Sequence, residues 1–259
     1  MNTPSGYPYN ETPPQPVRPV VANVAPPQSG SQVTYAIIAV TVVVYLAQML
    51  SQSLFQGEDL PFDYLGKINE FILQGQVWRL ITPIFVHASI LHIGFNMYAL
   101  FVLGRGLERV YGHGRFALLY FLSGFAGNVA SFFLTPNPSL GASTAIFGLV
   151  VAQGVFVFHN RKLFGSQHTR SALINTGVIV LINLGIGLQP GSGIDNWGHV
   201  GGFLGGLLFT WLGGPLWQIE GVAPFYRVVD QREESQVQLA VLAVLVVFGG
   251  IAALRFFIH

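Results

Sequence analysis

Long apolar stretches, broken by short polar turns, set the reading of this chain. Seven of them are long enough to cross or nearly cross a bilayer, which takes about 20 residues of helix. They run Val33–Leu50, Ile84–Leu103, Ala117–Leu134, Ala142–Phe158, Ala172–Gly187, Trp197–Leu212 and Val237–Phe257. The pattern predicts an all-α, polytopic membrane bundle. Residues 51–77 are too long and too apolar for a plain linker. Phe62, Tyr64, Leu65, Phe71, Ile72 and the following Trp78 predict an amphipathic segment lying in the interface. Residues 1–32, rich in Pro, Asn, Gln and Ser, bury too little apolar surface to offset their ordering entropy and are expected to be disordered. They lack the basic start and apolar stretch of a signal peptide, so cleavage here is not expected. Residues 33–212 then form a six-span core, 213–236 a connecting loop and 237–259 an extra C-terminal span.

Charge sharpens this picture. Only 12 Lys+Arg and 11 Asp+Glu occur among 259 residues, far below the quarter typical of soluble domains. With a net charge of +1 and no basic block, nucleic-acid binding has no support. The absence of cysteine excludes disulfides, thiolate metal sites and a cysteine nucleophile. Placing the N-terminus inside gathers Arg18, Arg105, Arg109, Arg115, Arg161, Lys162, Arg170, Arg227 and Arg232 on the inner side. Only Lys67, Arg79 and Arg255 then lie outside. The positive-inside rule therefore predicts an inner N-terminus and, after seven crossings, an outer C-terminus.

This topology brings polar residues to one depth. Spans two, four and six begin on the same side, and Ser143 opens span four while His199 opens span six. At a rise of about 1.5 Å per residue, Ser143 lies roughly 8 Å and His199 about 10 Å below the outer boundary. An isolated serine in an apolar helix is usually a small packing residue. Here Gly141 and Gly148 flank it, and Pro136 and Pro138 break the chain just before. The helix thus starts inside the membrane, with free N–H groups and its positive dipole end near the hydroxyl. A histidine within a membrane helix is costly and usually functional. Around His199, glycines recur at Gly198, Gly202 and Gly206 and at Gly201 and Gly205, a spacing that lets a neighbouring backbone approach. Span four is the natural neighbour, bringing imidazole to serine as general base. Asp195 reads as an N-cap or loop residue rather than an orienting carboxylate. His92 and Asn96, four residues apart, share a helix face. They are either an interhelical polar contact or, beside Ser143 and His199, an oxyanion hole.

The combined set resembles the rhomboid family of intramembrane serine proteases, in order from about Trp78 to Gly206. It comprises Trp78-Arg79, His92-x-x-x-Asn96, Glu108-Arg109-x-x-Gly112, Gly141-x-Ser143-x-x-x-x-Gly148 and His199-x-Gly201-Gly202. The resemblance implies a Ser143–His199 dyad with no catalytic acid, and an oxyanion hole from His92, Asn96 and the Ser143 backbone N–H. It also implies structural roles for Trp78-Arg79 and Glu108-Arg109, and an aromatic, Phe147, packed on the imidazole. The seventh span makes this a six-plus-one form. One departure is Thr144, where the family most often has glycine; it leaves the shape of the pocket open. The implied activity is cleavage of transmembrane protein substrates near the outer face of a membrane, with no metal and no organic cofactor. With no obvious organelle-targeting segment in the sequence, a bacterial plasma membrane is the expected location. A catalytically silent member that binds and steers membrane proteins is the alternative, though it would be expected to have lost the serine or histidine. A transporter would predict internal repeats, and none is convincing.

Overall fold

The computed structural model describes residues 29–222 and 225–258, so the expectation for residues 1–28 lies outside the described residues. Each of the seven apolar stretches is helical over most of its length. The first is α1 (Gln32–Leu54). The connection after it holds α2 (Leu60–Leu65) and α3 (Asn69–Leu73), then 3-10 turns at Val77–Leu80 and Thr82–Phe85. Next come α4 (Ile90–Ala99), a π-helical stretch over Leu100–Gly104 and α5 (Arg105–Tyr111). They are followed by α6 (His113–Leu134), α7 (Ser143–His159), α8 (Arg161–Phe164), α9 (Ser166–Gly187) and α10 (Asn196–Gly213). A hairpin of β1 (Trp217–Val222) and β2 (Phe225–Asp230) precedes α11 (Glu234–Phe257).

Two boundaries differ from the sequence expectation. The second span does not begin at Ile84: Ile84 and Phe85 belong to a 3-10 turn, and α4 starts at Ile90 because Ser89 caps it, its hydroxyl accepting from the His92 N–H. Residues 213–236 are not a plain loop, because an antiparallel hairpin pairs Trp217 with Asp230 through to Val222 with Phe225. Asp230 anchors it, pairing with Arg115 and accepting from the Leu216 and Arg232 N–H groups at 2.9 Å each. Residues 29–31, assigned to the tail from composition, are tied down at Ser29, which donates to the carbonyls of Arg109 and Glu108.

α6, α7 and α10 form the heart of the bundle, with Phe116, Leu119, Tyr120, Phe132, Leu149 and Phe209 fully enclosed. α1, α4, α9 and α11 surround them and turn large apolar side chains such as Val43, Phe95, Leu181 and Val246 outward. An outward apolar face is stable only against hydrocarbon, and helices satisfy their own backbone there. α1, α6, α9, α11 and the continuous Ile90–Tyr111 stretch are each long and apolar enough to span, while α7 is shorter. α10 is glycine-rich and central, so it needs little apolar surface of its own. The molecule is an integral multi-pass membrane protein.

α10 meets two helices through two rows of glycine. A Cβ at Gly202 or Gly206 would collide with the backbone of Thr144 or Gly148 on α7. One at Gly201 or Gly205 would strike Ala130 or Ala126 on α6. The row of Gly198, Gly202 and Gly206 therefore meets α7, and the row of Gly201 and Gly205 meets α6. α11 lies on the far side of α10, Ala240 against Gly213. α9 is the least embedded long helix: among its residues only Thr169 is buried.

The Glu108 carboxylate is a cap for a different helix. α1 has no side-chain cap of its own, and Glu108, fully buried, accepts from the Val33 N–H at 2.9 Å, the Thr34 N–H at 2.8 Å and the Thr34 hydroxyl at 2.6 Å. His113 Nδ1 closes on Oε1, the oxygen that also accepts from Val33. A carboxylate at a helix N-terminus meets both the free N–H groups and the positive dipole end. The neighbouring Arg109 side chain is exposed.

Candidate active site

Ser143 is the first residue of α7 and His199 lies in the first turn of α10. The close α7–α10 approach sets His199 Nε2 2.9 Å from Ser143 Oγ, hydrogen-bond distance for a hydroxyl and an imidazole. The Phe147 ring stacks on the imidazole, with centroids 4.2 Å apart and planes 13° from parallel. Imidazole rotation is thereby restricted to the plane that faces the serine. His199 Nδ1 is buried and has no hydrogen-bond partner among the described residues. Asp195 does not reach it; its carboxylate caps α10, accepting from the Gly198 N–H at 2.8 Å. With Nε2 accepting from Oγ the proton lies on Nδ1, and no carboxylate among the described residues accepts it.

The loop before Ser143 is held from three directions. Gly141, at φ +119°, donates its N–H to the Pro83 carbonyl at 2.9 Å. A Cβ there would lie 2.7 Å from the His92 ring, so the position needs glycine on two counts. The Ala142 N–H donates to His87 Nε2 at 3.3 Å. Lys67, buried, donates from Nζ to the carbonyls of Thr135 and Asn137 at 3.0 and 2.8 Å, and its backbone bridges Ser139. With Ala142 N–H engaged, the Ser143 N–H is left at the first helical position, where no intrahelical carbonyl can accept it.

His92 lies over Gly141, half-buried, and its ring meets that of His87 edge-on at 4.9 Å. Asn96 is buried, and its side-chain amide donates to the His92 carbonyl at 2.9 Å. One of its two amide hydrogens is used there.

Trp78 and Arg79 lie away from the serine, in the segment that supports the loop. Trp78 Nε1 donates to the Tyr64 carbonyl at 3.1 Å. Arg79, buried, donates to the Gly66 and Asp63 carbonyls and to Gln76, while stacking on Phe71.

A family model described as the Rhomboid domain matches residues 74–216, more than half of the chain, with Ser143, His199, His87, His92 and Asn96 inside the match. The chain belongs to the rhomboid family. It is 42% identical over 173 residues to rhomboid protease GluP of Bacillus subtilis, covering 67% of the chain and 33% of GluP. It is 39% identical over 193 residues to RHOMBOID-like protein 1 of Arabidopsis thaliana, covering 73% of the chain and 46% of that protein. With RHOMBOID-like protein 4 of the same plant it shares 36% over 156 residues, 60% of the chain and 37% of the relative. The rhomboid chain thus spans between a third and a half of the length of these relatives.

Two features of this rhomboid were not read from its sequence. His87 falls inside an apolar stretch by hydropathy alone; Ser89 is the available signal, marking a helix start beyond it. Thr144, the departure from the family's usual glycine, does not point beside the nucleophile. It is buried against Gly127 and Gly198, at the junction of α6, α7 and α10. The extra methyl and hydroxyl therefore fill a helix crossing rather than the space above Ser143.

Proposed function

We propose that this rhomboid is an intramembrane serine endopeptidase acting on proteins anchored by a transmembrane segment. The observation that carries the proposal is the 2.9 Å contact between His199 Nε2 and Ser143 Oγ beneath the Phe147 ring. The relative named as rhomboid protease GluP supports it.

In this reading Ser143 Oγ attacks the scissile carbonyl as its proton passes to His199 Nε2. A C–O bond forms and the carbonyl oxygen becomes an oxyanion. His199 then gives its proton to the departing amine nitrogen as the C–N bond breaks, leaving an ester on Ser143. Water, deprotonated by the same imidazole, hydrolyses that ester and restores the serine. The oxyanion is held by the Ser143 N–H, by His92 and by the second amide hydrogen of Asn96, near the positive end of α7. Phe147 orients the imidazole in place of a carboxylate. Trp78, Arg79 and Glu108 act structurally, and Gly198, Gly201, Gly202, Gly205 and Gly206 permit the helix approach that makes the dyad. The dyad opens toward the outer face of a bacterial plasma membrane, with the N-terminus inside.

The test compares membrane proteomes of cells carrying the wild type or Ser143→Ala. Anchored fragments should vanish with the serine, and a fluorophosphonate should label only the wild type. Identical fragments from Ser143→Ala cells, with no labelling of the wild type, would leave the silent-binder reading in its place.

A further inference from the structure

The end of the bundle opposite the dyad carries a cavity that the chemistry above does not use. α7 has 17 residues, which places its last residue, His159, about 24 Å from Ser143 along the axis. There a cavity of about 540 Å³ opens between the α7–α8 corner and strand β1, within the range of about 300–1,000 Å³ typical of small-ligand sites. Its wall includes His159, Arg161, Lys162, Trp217 and Gln218.

The cations there are left for an outside partner. Among the described residues, no acidic one lines the cavity. The nearest carboxylates of the hairpin are occupied: Asp230 by Arg115 and two backbone N–H groups, and Glu220 by Arg227 and Gln231. Arg161 is held in place by the Phe158 carbonyl at 3.1 Å and by the Phe158 ring at 4.8 Å. Both contacts leave most of its five N–H donors available. Lys162 is exposed at the rim. His159 Nδ1 is buried without a partner among the described residues. The floor is rigid, since Asn160 ties α7 to the hairpin through the Phe156 and Pro215 carbonyls and the Trp217 N–H.

Depth gives the chemistry of the ligand. Trp211 is half exposed, its ring 4.8 Å from His159 and stacked at 6.0 Å on Phe158. Tryptophans of membrane proteins collect at the level of the head groups. A rigid cationic cavity at that level matches a phosphate group in charge, donor number and position. We propose that this cavity binds a phosphate group, either the phosphodiester of an anionic phospholipid or free phosphate from the adjoining water.

Native mass spectrometry of the full chain in detergent, titrated separately with phosphatidylglycerol, phosphatidylcholine and inorganic phosphate, tests it. Wild type should retain phosphatidylglycerol in preference to phosphatidylcholine if the lipid is the source, or inorganic phosphate if the free ion is. In either case Arg161→Gln/Lys162→Gln should weaken the bound species by about 30-fold, each cation near an anionic surface being worth about fivefold. Ile219→Trp, which fills the cavity mouth but keeps both cations, should weaken it as well and guards against misfolding of the double variant. Neither variant touches the dyad. Equal retention of all three ligands by wild type and both variants, or no retention by wild type, would overturn the site.

Discussion

Replacing Gly202 by alanine tests the link between helix packing and chemistry most sharply. The added Cβ would fall on the Thr144 carbonyl oxygen, 2.8 Å from its carbonyl carbon and 3.2 Å from its Cα. Carbon atoms settle at about 3.5–4.0 Å, so α10 must retreat from α7 by roughly 1 Å. His199 is one turn away on the same helix. The 2.9 Å contact to Ser143 Oγ would stretch to about 3.9 Å, outside hydrogen-bond range. A displacement of about 1 Å costs about 10²-fold in rate. Stability should change less: overpacking costs about 1–3 kcal/mol, offset by up to about 1 kcal/mol from removing a helical glycine. Gly177→Ala on α9, where a Cβ would meet nothing within 4 Å, is the matched control and should keep full activity. The assay is hydrolysis of a fluorogenic transmembrane peptide in detergent, with fluorophosphonate labelling rate and thermal melting measured in parallel. A Gly202→Ala protein that cleaves and labels at the wild-type rate would refute the claim that this crossing sets the dyad.

Asn96→Ala should lower kcat by about 10²–10³, the usual cost of one oxyanion donor, with KM and melting temperature nearly unchanged; early melting with normal turnover would make Asn96 a strut instead. Glu108→Ala strips the Val33 and Thr34 N–H groups of their acceptor and should destabilise the fold by about 3 kcal/mol, at about 1–3 kcal/mol per buried group left unpaired, as read by denaturant or thermal melts; an unchanged melt would contradict the capping role. Burial pushes the Lys67 ammonium down to about 8. Above that pH the folded chain sheds a proton that the unfolded chain, with a lysine near 10.4, still holds, so stability rises with pH between the two values. Lys67→Met lacks this rise, and the melting temperature of wild type relative to the variant should increase between about pH 7 and pH 9.5; a constant difference would refute it.

The helices were legible because a bilayer demands length and apolarity of each crossing, and α1, α6, α9 and α11 satisfy both on their own. Ser143 and His199 stood out because polar groups at hydrocarbon depth are costly, and the glycine rows around His199 announced a close crossing. Side-chain partners between distant segments were not legible. Glu108 capping α1, 74 residues away, follows from how the helices meet and leaves no local pattern. Asn160 fixing the hairpin at Trp217 is the same kind of contact. The hairpin of Trp217–Val222 and Phe225–Asp230 leaves little pattern in the sequence, because its strands are short and mostly exposed. His87 illustrates a third failure, in which hydropathy ran a span through a capped helix start.

The central claim is that Ser143 and His199 act as one unit. It is tested most directly by hydrolysis rates of purified wild type, Ser143→Ala, His199→Ala and the double variant on one transmembrane substrate. Residues that act together are strongly non-additive, so both single variants should lose all measurable cleavage and the double variant should be no worse. Substantial cleavage by purified, folded Ser143→Ala protein would contradict the claim.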